Sequence, residues 1–194
     1  LAQARSETTK DKVLDAALQV FARSGVRGAR IQQICAASGV SVGSIYHHFD
    51  GTQGIAAAAY RREMEDLLVT VREAMLARRT ARTSVFALVD AYLGWVQRNP
   101  DRARFIYWAA AEIDADAHRG IAQFKVDLLA PMMQRVRAYV EAGRVRALPP
   151  AYYEVVVIGQ LAEFCRRWLM AGPGLDIAEA RRVLRRSTWA ALAP

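Results

Sequence analysis

Apolar residues first recur at three- and four-residue spacing between Thr9 and Ser24, where Val13, Leu14, Ala17, Leu18 and Phe21 form one stripe of a helix. Gly25 predicts its end, because glycine takes the left-handed backbone that closes a helix, and Gly28 marks the following turn. A shorter stripe covers Ile31 to Ala37, with Ile31, Ile34 and Cys35 inward, and Ser38-Gly39-Val40 breaks it. Ser41 suits the N-cap of a third short helix that carries Ser44, Ile45 and Tyr46 to His48. Asp50-Gly51 reads as a turn, and Thr52 as the cap of a long fourth helix reaching Ala77.

Punctuation divides the remainder. A fifth helix, Ala81 to Gln97, stops at Asn99-Pro100. Asp101 to Ala111 reads as a short sixth helix, Asp114 to Gly120 as a polar interval, and Ile121 to Glu141 as a helix kinked or broken at Pro131. Arg144 to Pro150 is a loop. Ala151 to Ala171 and Asp176 to Leu192 form the last long helices, parted by Gly172-Pro173-Gly174. Val155 to Ile158 has the composition of a strand, but it lies in a long stretch without turn signals and is read as buried helix. The expected fold is all-α.

The chemistry concentrates between Ile31 and Phe49. Two short helices joined by a glycine turn make a helix-turn-helix arrangement, with Ile34, Cys35, Val40 and Ile45 as its shared core. The second short helix of such a unit enters the major groove of DNA with its N-terminal end. Ser41 and Ser44 can reach base edges or phosphates there. Gly43 permits close approach, and Tyr46 and His47 can donate to phosphates. Free N–H groups at helix starts add phosphate sites. Lys10, Arg27 and Arg30 flank the unit.

Charge changes this picture only slightly. The 194 residues carry a formal +8, with 27 Lys and Arg against 19 Asp and Glu. Through Asp50, six basic residues face four acidic ones, leaving +2. The DNA-binding expectation therefore rests on geometry, and the surplus charge serves to attract a polyanion to the whole molecule. At 53% hydrophobic residues the chain is expected to fold. Apolar runs such as Ile106 to Ala111 are far shorter than the ~20 residues of a membrane span. The polar start lacks a signal-peptide core, so a soluble cytoplasmic protein without a membrane partner is expected.

The stretch from Val13 to Ile55 resembles the TetR/AcrR family of bacterial transcriptional regulators. The likeness is carried by Ala16-Ala17, Phe21, Gly25, Ile34, Ala37, Gly39-Val40-Ser41, Gly43, Ile45-Tyr46-His47-His48-Phe49 and Ile55. The resemblance implies an N-terminal three-helix DNA-binding domain (1–50) and a larger helical ligand-binding and dimerisation domain (51–194). It implies a homodimer that binds a palindromic double-stranded DNA operator, usually represses, and is released by a small-molecule effector. Tyr46 and His47 would contact phosphates, Ser41, Gly43 and Ser44 would face the groove, and Phe49 would pack the third helix. Four positions depart from the family pattern. Ala29-Arg30 stands where Thr is common, so Arg30 is expected to take over a phosphate contact. Thr52 replaces a Lys at the start of the fourth helix, Gln53 an acidic residue, and Cys35 an Ala.

The family's pocket lies between the middle helices. That implies effector contacts for Trp95, Tyr107, Trp108, Phe124 and Met132, with Glu112, His118 and Gln160 as polar candidates, and suits an apolar or aromatic effector. Tyr152, Leu161, Phe164, Trp168, Leu184 and Trp189 are expected at the dimer interface. Arg181-Arg182 and Arg185-Arg186 repeat a basic pair at i,i+4, which calls for acidic partners across the fold.

No catalytic constellation stands out, and neither a metal site nor a cofactor is expected. The three histidines lack HExxH spacing, adjacent His47 and His48 should point to different sides of their helix, and Cys35 and Cys165 are too few for a cysteine metal site. The alternative to a regulator is a helical dimeric interaction protein on the same scaffold with weak or no specific DNA binding. Thr52 in place of Lys is what favours it.

Overall fold

The computed structural model describes residues 2–113, 115–171 and 174–194, without the side chains of 2–7, 115–119 and 171. Among the described residues every regular element is helical. These are α1 (Ala2–Gly28), α2 (Ile31–Ser38), α3 (Val42–His48), α4 (Gly51–Leu76), α5 (Ala81–Arg98), α6 (Pro100–Ala109), α7 (Ala115–Glu141), α8 (Pro150–Ala171) and α9 (Ile177–Leu192). No helix among them is long and apolar enough to cross a membrane.

Among the boundaries that differ from expectation, three bear on the reading. α1 starts at Ala2 instead of Thr9, because its polar first turns favour a helix but lie ahead of the apolar stripe that located it. α4 starts at Gly51, so Thr52 sits inside the first turn and is not the cap. α7 includes the interval read as polar and runs through Pro131 unbroken. That proline removes one N–H from a helix of 27 residues, and the turns on either side keep theirs.

The helices group into two compact units. The first comprises Leu1–Met64 with Asp101–Phe124, the second Glu65–Pro100 with Lys125–Pro194. This grouping does not coincide with the functional division expected after Asp50. Ile55, Ala56 and Ala59 of α4, and Phe105 and Ala109 of α6, belong to the same apolar cluster as α1–α3.

Within the first unit, Val13, Ala17 and Phe21 of α1 meet Ile34 of α2 and Ile45 of α3 in that cluster. The Phe21 and Phe105 rings stack at 5.6 Å between centroids. A polar knot lies on the same unit. Glu63 is buried and bonds Arg102 on α6, while Arg62 reaches Glu63 at 2.9 Å and Asp15 at 2.7 Å. Burial alone would lower the Arg62 pKa, but the hydrogen bonds to Asp15 and Glu63 win and raise it above its ordinary value.

The second unit is built around α5, whose Val85, Leu88, Val89, Leu93 and Val96 are buried. Arg185 of α9 grips Asp90 of α5, and Arg181 lies 3.8 Å from the same carboxylate. Arg182 pairs with Glu179. Arg181 and Arg185 thus share an acidic partner across the fold, whereas Arg182 finds one on its own helix. Val155 to Ile158 is helical as read, but Val155 is 66% exposed, so that stretch is not buried throughout. Its β-branched residues span more than one side of α8.

Ile45 and Tyr46 are neighbours with opposite fates, 0% and 56% exposed. Ile45→Ala is expected to lower unfolding free energy by about 2–5 kcal/mol in urea denaturation. Tyr46→Ala should change it by less than about 0.5 kcal/mol. Equal losses would contradict this facing of α3.

Candidate nucleic-acid interface

Both ends of α3 are pinned. Ser41 is extended (φ −67°, ψ 152°), and its Oγ accepts the Ser44 N–H at 3.3 Å. At the far end the Phe49 N–H donates to the Ile45 carbonyl at 2.8 Å, and the Phe49 side chain is buried. The turn from α2 relies on Gly39, whose φ of +69° is strained for any residue with a Cβ. Its N–H donates to the Cys35 carbonyl at 2.9 Å. Ile34 and Ile45 are fully buried, with Cys35 and Val40 partly buried against them. The shared core is the one read from the sequence.

With Ile45 turned inward, α3 presents its other positions to solvent. Ser41, Gly43, Tyr46 and His47 are exposed, and Ser44 is half-buried. A Cβ built on Gly43 would meet nothing within 4 Å, so a partner surface can come up to the backbone there. The Tyr46 ring lies 4.0 Å from where a Cβ on Gly51 would stand, beside the entry to α4. The His47 and His48 rings meet edge to face with centroids 5.0 Å apart. They were expected to point apart, but side-chain torsions let neighbouring rings lean together. Val42 was not singled out from sequence, yet it is 42% exposed on this same face. A β-branched apolar residue in a short helix reads as core until the facing of Ile45 is known.

Arg30 occupies the N-cap of α2 and is exposed. Its side chain has no acceptor to offer, so the cap comes from the other direction: Gln33 Oε1 accepts the Arg30 N–H at 2.8 Å. Thr52 is half-buried in the first turn of α4, where the Asp50 carbonyl accepts the Gly54 N–H at 3.2 Å.

The remaining site candidates fall in separate places. In the first unit, Tyr107 is half-buried, Trp108 is exposed, and Phe124 carries the Arg61 guanidinium 4.5 Å above its ring. Glu112 accepts the Arg27 N–H at 2.9 Å beside Gly25, tying the segment after α6 to the end of α1. The His118 side chain lies outside the described residues. A depression of about 270 Å³ in this unit is lined by Leu18, Gln19, Ala22, Arg23, Asp101 and Arg102, none of them an effector candidate. In the second unit, Trp95 is buried and donates its indole N–H to Asp66 at 3.0 Å, and Met132 is buried. Gln160 bonds the Val156 carbonyl at 2.7 Å and accepts from Ser187 at 2.5 Å.

Of the residues expected at a dimer interface, Tyr152 is exposed and Phe164, Trp168, Leu184 and Trp189 are half-buried. Leu161 is a correction: it is fully buried within its own chain and cannot touch a second one. Its place in the apolar repeat of α8 could not distinguish the inner face from the outer. The exposed side of α8 also carries Val155, Met170 and an ion group in which Arg166 and Arg167 both bond Glu163. Those bonds hold the Glu163 carboxyl at about 2.

Known proteins share this arrangement. Residues 13–59 match the family model described as bacterial regulatory proteins, tetR family. The HTH-type transcriptional repressor Rv1474c of Mycobacterium tuberculosis is 29% identical over 157 residues, covering 78% of this chain and 79% of that protein. The HTH-type transcriptional repressor KstR2 of Rhodococcus jostii is 32% identical over 80 residues, 41% of this chain and 39% of that protein. For the first two curated relatives, matching thus spans about two-fifths of their length. Among solved structures, a TetR family transcription regulator from Marinobacter aquaeolei superposes with a TM-score of 0.81 at 15% identity, covering 98% of both chains. FadR from Bacillus subtilis, in complex with stearoyl-CoA, gives 0.79 at 15% identity, covering 93% of this chain and 97% of that one.

The Ser41 cap gives this region a direct check. Ser41→Ala is expected to lower stability by about 1 kcal/mol, and Ser41→Asp to restore it, since Asp caps equally well. Equal melting temperatures for the wild-type chain and the Ser41→Ala variant would show that the cap does not hold α3.

Proposed function

Because the chain belongs to the TetR family of bacterial regulatory proteins, we propose that it is a ligand-responsive transcriptional repressor that binds a palindromic operator as a homodimer. The observation that carries the reading is the split of α3 between Ile45, locked in the core, and an exposed face of Ser41, Gly43, Tyr46 and His47. Residues 1–50 then form the DNA-binding part and 51–194 the ligand-binding and dimerising part. Tyr46, His47 and Arg30 contact phosphates, and Ser44 and Gly43 face the groove. Thr52 contributes a hydroxyl beside the same backbone, in place of a cation.

Two headgroups reach successive major grooves about 34–36 Å apart only as a pair, which is the reason for a dimer. The exposed Tyr152, with Phe164, Trp168, Leu184 and Trp189, supports α8 and α9 as its interface. Relatives named as repressors support the sign of regulation. A small apolar or aromatic effector releases the dimer by binding better to a state with differently spaced headgroups. FadR of Bacillus subtilis, solved with stearoyl-CoA, supports an effector with a large apolar part. Trp95, Met132 and Gln160 of the second unit are the proposed contacts. Glu112 is committed to Arg27 and acts as a tie. The protein acts in the bacterial cytoplasm and has no catalytic role.

The second reading, an interaction protein with weak DNA binding, draws on Thr52, which leaves the start of α4 without a cation. One titration separates the two. A fluorescent duplex from the promoter region beside the gene, titrated at 50 and 200 mM salt, should bind tightly and selectively and lose affinity steeply at the higher concentration, by roughly 10³-fold if about six phosphates are contacted. Equal weak binding to unrelated duplexes would overturn the regulator reading. Tyr46→Phe and His47→Ala should each weaken binding several-fold while the dimer persists in sedimentation. Unchanged affinity would remove both from the phosphate contacts.

A further inference from the structure

Val42 stands out on α3 because it leaves an isopropyl group in water at the leading turn of the helix. Its surroundings do not call for it. The core beneath is already filled by Ile34 and Ile45. Ser41 spends its oxygen on the Ser44 N–H, and Gly43 has no side chain at all. The first turn of α3 therefore offers one large group to a partner, and that group is apolar. Four residues on, Tyr46 lies on the same side of the helix and beside the entry to α4, so the two side chains face a partner together.

We propose that Val42 is a specificity-determining residue that selects thymine through its 5-methyl group, an assignment that rests on the DNA-binding reading above. In the major groove each base pair shows its own pattern of donors and acceptors, and thymine alone adds a methyl. An isopropyl group can neither donate nor accept. Placed over guanine or adenine it covers N7 without a partner, and over cytosine it covers the N4 donors, each an unfavourable desolvation. Over thymine it covers a methyl and removes apolar surface of both partners from water. Gly43 helps by letting the helix backbone come close enough for contact. With Tyr46 fixed on the phosphate backbone, Val42 meets a defined base in each half-site.

The test uses the full chain and the tightest promoter duplex from the titration above. Each thymine is replaced in turn by deoxyuridine, which deletes the methyl and keeps the pairing. One position per half-site should weaken the wild-type protein by roughly three- to tenfold, about the effect of losing one methyl-sized apolar contact. The same replacement should change the affinity of Val42→Ala by less than about twofold. Val42 is exposed and alanine favours helices, so this variant keeps its fold, which a melting curve verifies. Selective binding in which every uracil position costs wild type and Val42→Ala alike overturns the assignment and leaves the regulator reading intact. A chain that binds no duplex selectively overturns both.

Discussion

A helix of seven residues has almost no stability of its own in water. α3 holds its shape because Ile45 and Phe49 are buried against Val13, Phe21 and Ile34, and because Ser41 closes its first turn. Everything that the exposed side of α3 can do depends on that grip. If Ile45 turned outward, Tyr46 and His47 would rotate with it and the polar face would no longer be a surface. The Gly39 turn has the same character: a φ of +69° sets the angle between α2 and α3, and a side chain there would resist it.

The grip extends beyond the three N-terminal helices. α6 joins the same unit through the Phe21–Phe105 stack, the Glu63–Arg102 pair and the Glu112 tie to Arg27. These contacts differ in kind, so they fail under different conditions. The stack is apolar and indifferent to salt, whereas the pair combines a buried carboxylate with a half-exposed guanidinium. Removing Glu63 would take away the buried carboxylate that Arg62 and Arg102 share and leave Arg62 with Asp15. These contacts join α6 to the body that holds α1, the helix against which α2 and α3 pack.

Much of this was legible in the residues. The stripe of Val13, Ala17 and Phe21, the glycine at position 39 and the Ser41 cap each have one local physical explanation, and the structure realises each. Other features depend on partners far away in the chain. Nothing near Leu161 distinguishes it from its half-buried neighbours on α8, and only the packed fold shows it to be internal. Glu112 reads as a polar effector contact until the Arg27 N–H, 85 positions away, is seen beside it. Val42 drew no reading from sequence, because its exposure shows only once Ile45 is seen to face the core. Pro131 reads as a kink or a break because the cost of one lost hydrogen bond is visible locally, while the support from a 27-residue helix, which rules out the break, is not.

The basic excess of the chain plays a supporting part. Only +2 of the +8 falls through Asp50, so in the proposed function charge draws the molecule toward DNA while α3 is the element assigned to reading it. Selection of binding sites from a pool of randomised duplexes by the full chain tests this division of labour most directly. The account predicts enrichment of a palindrome whose half-sites lie about one helical turn, or a multiple of it, apart. Recovery of duplexes with no shared sequence, held only by salt-sensitive attraction, would contradict it.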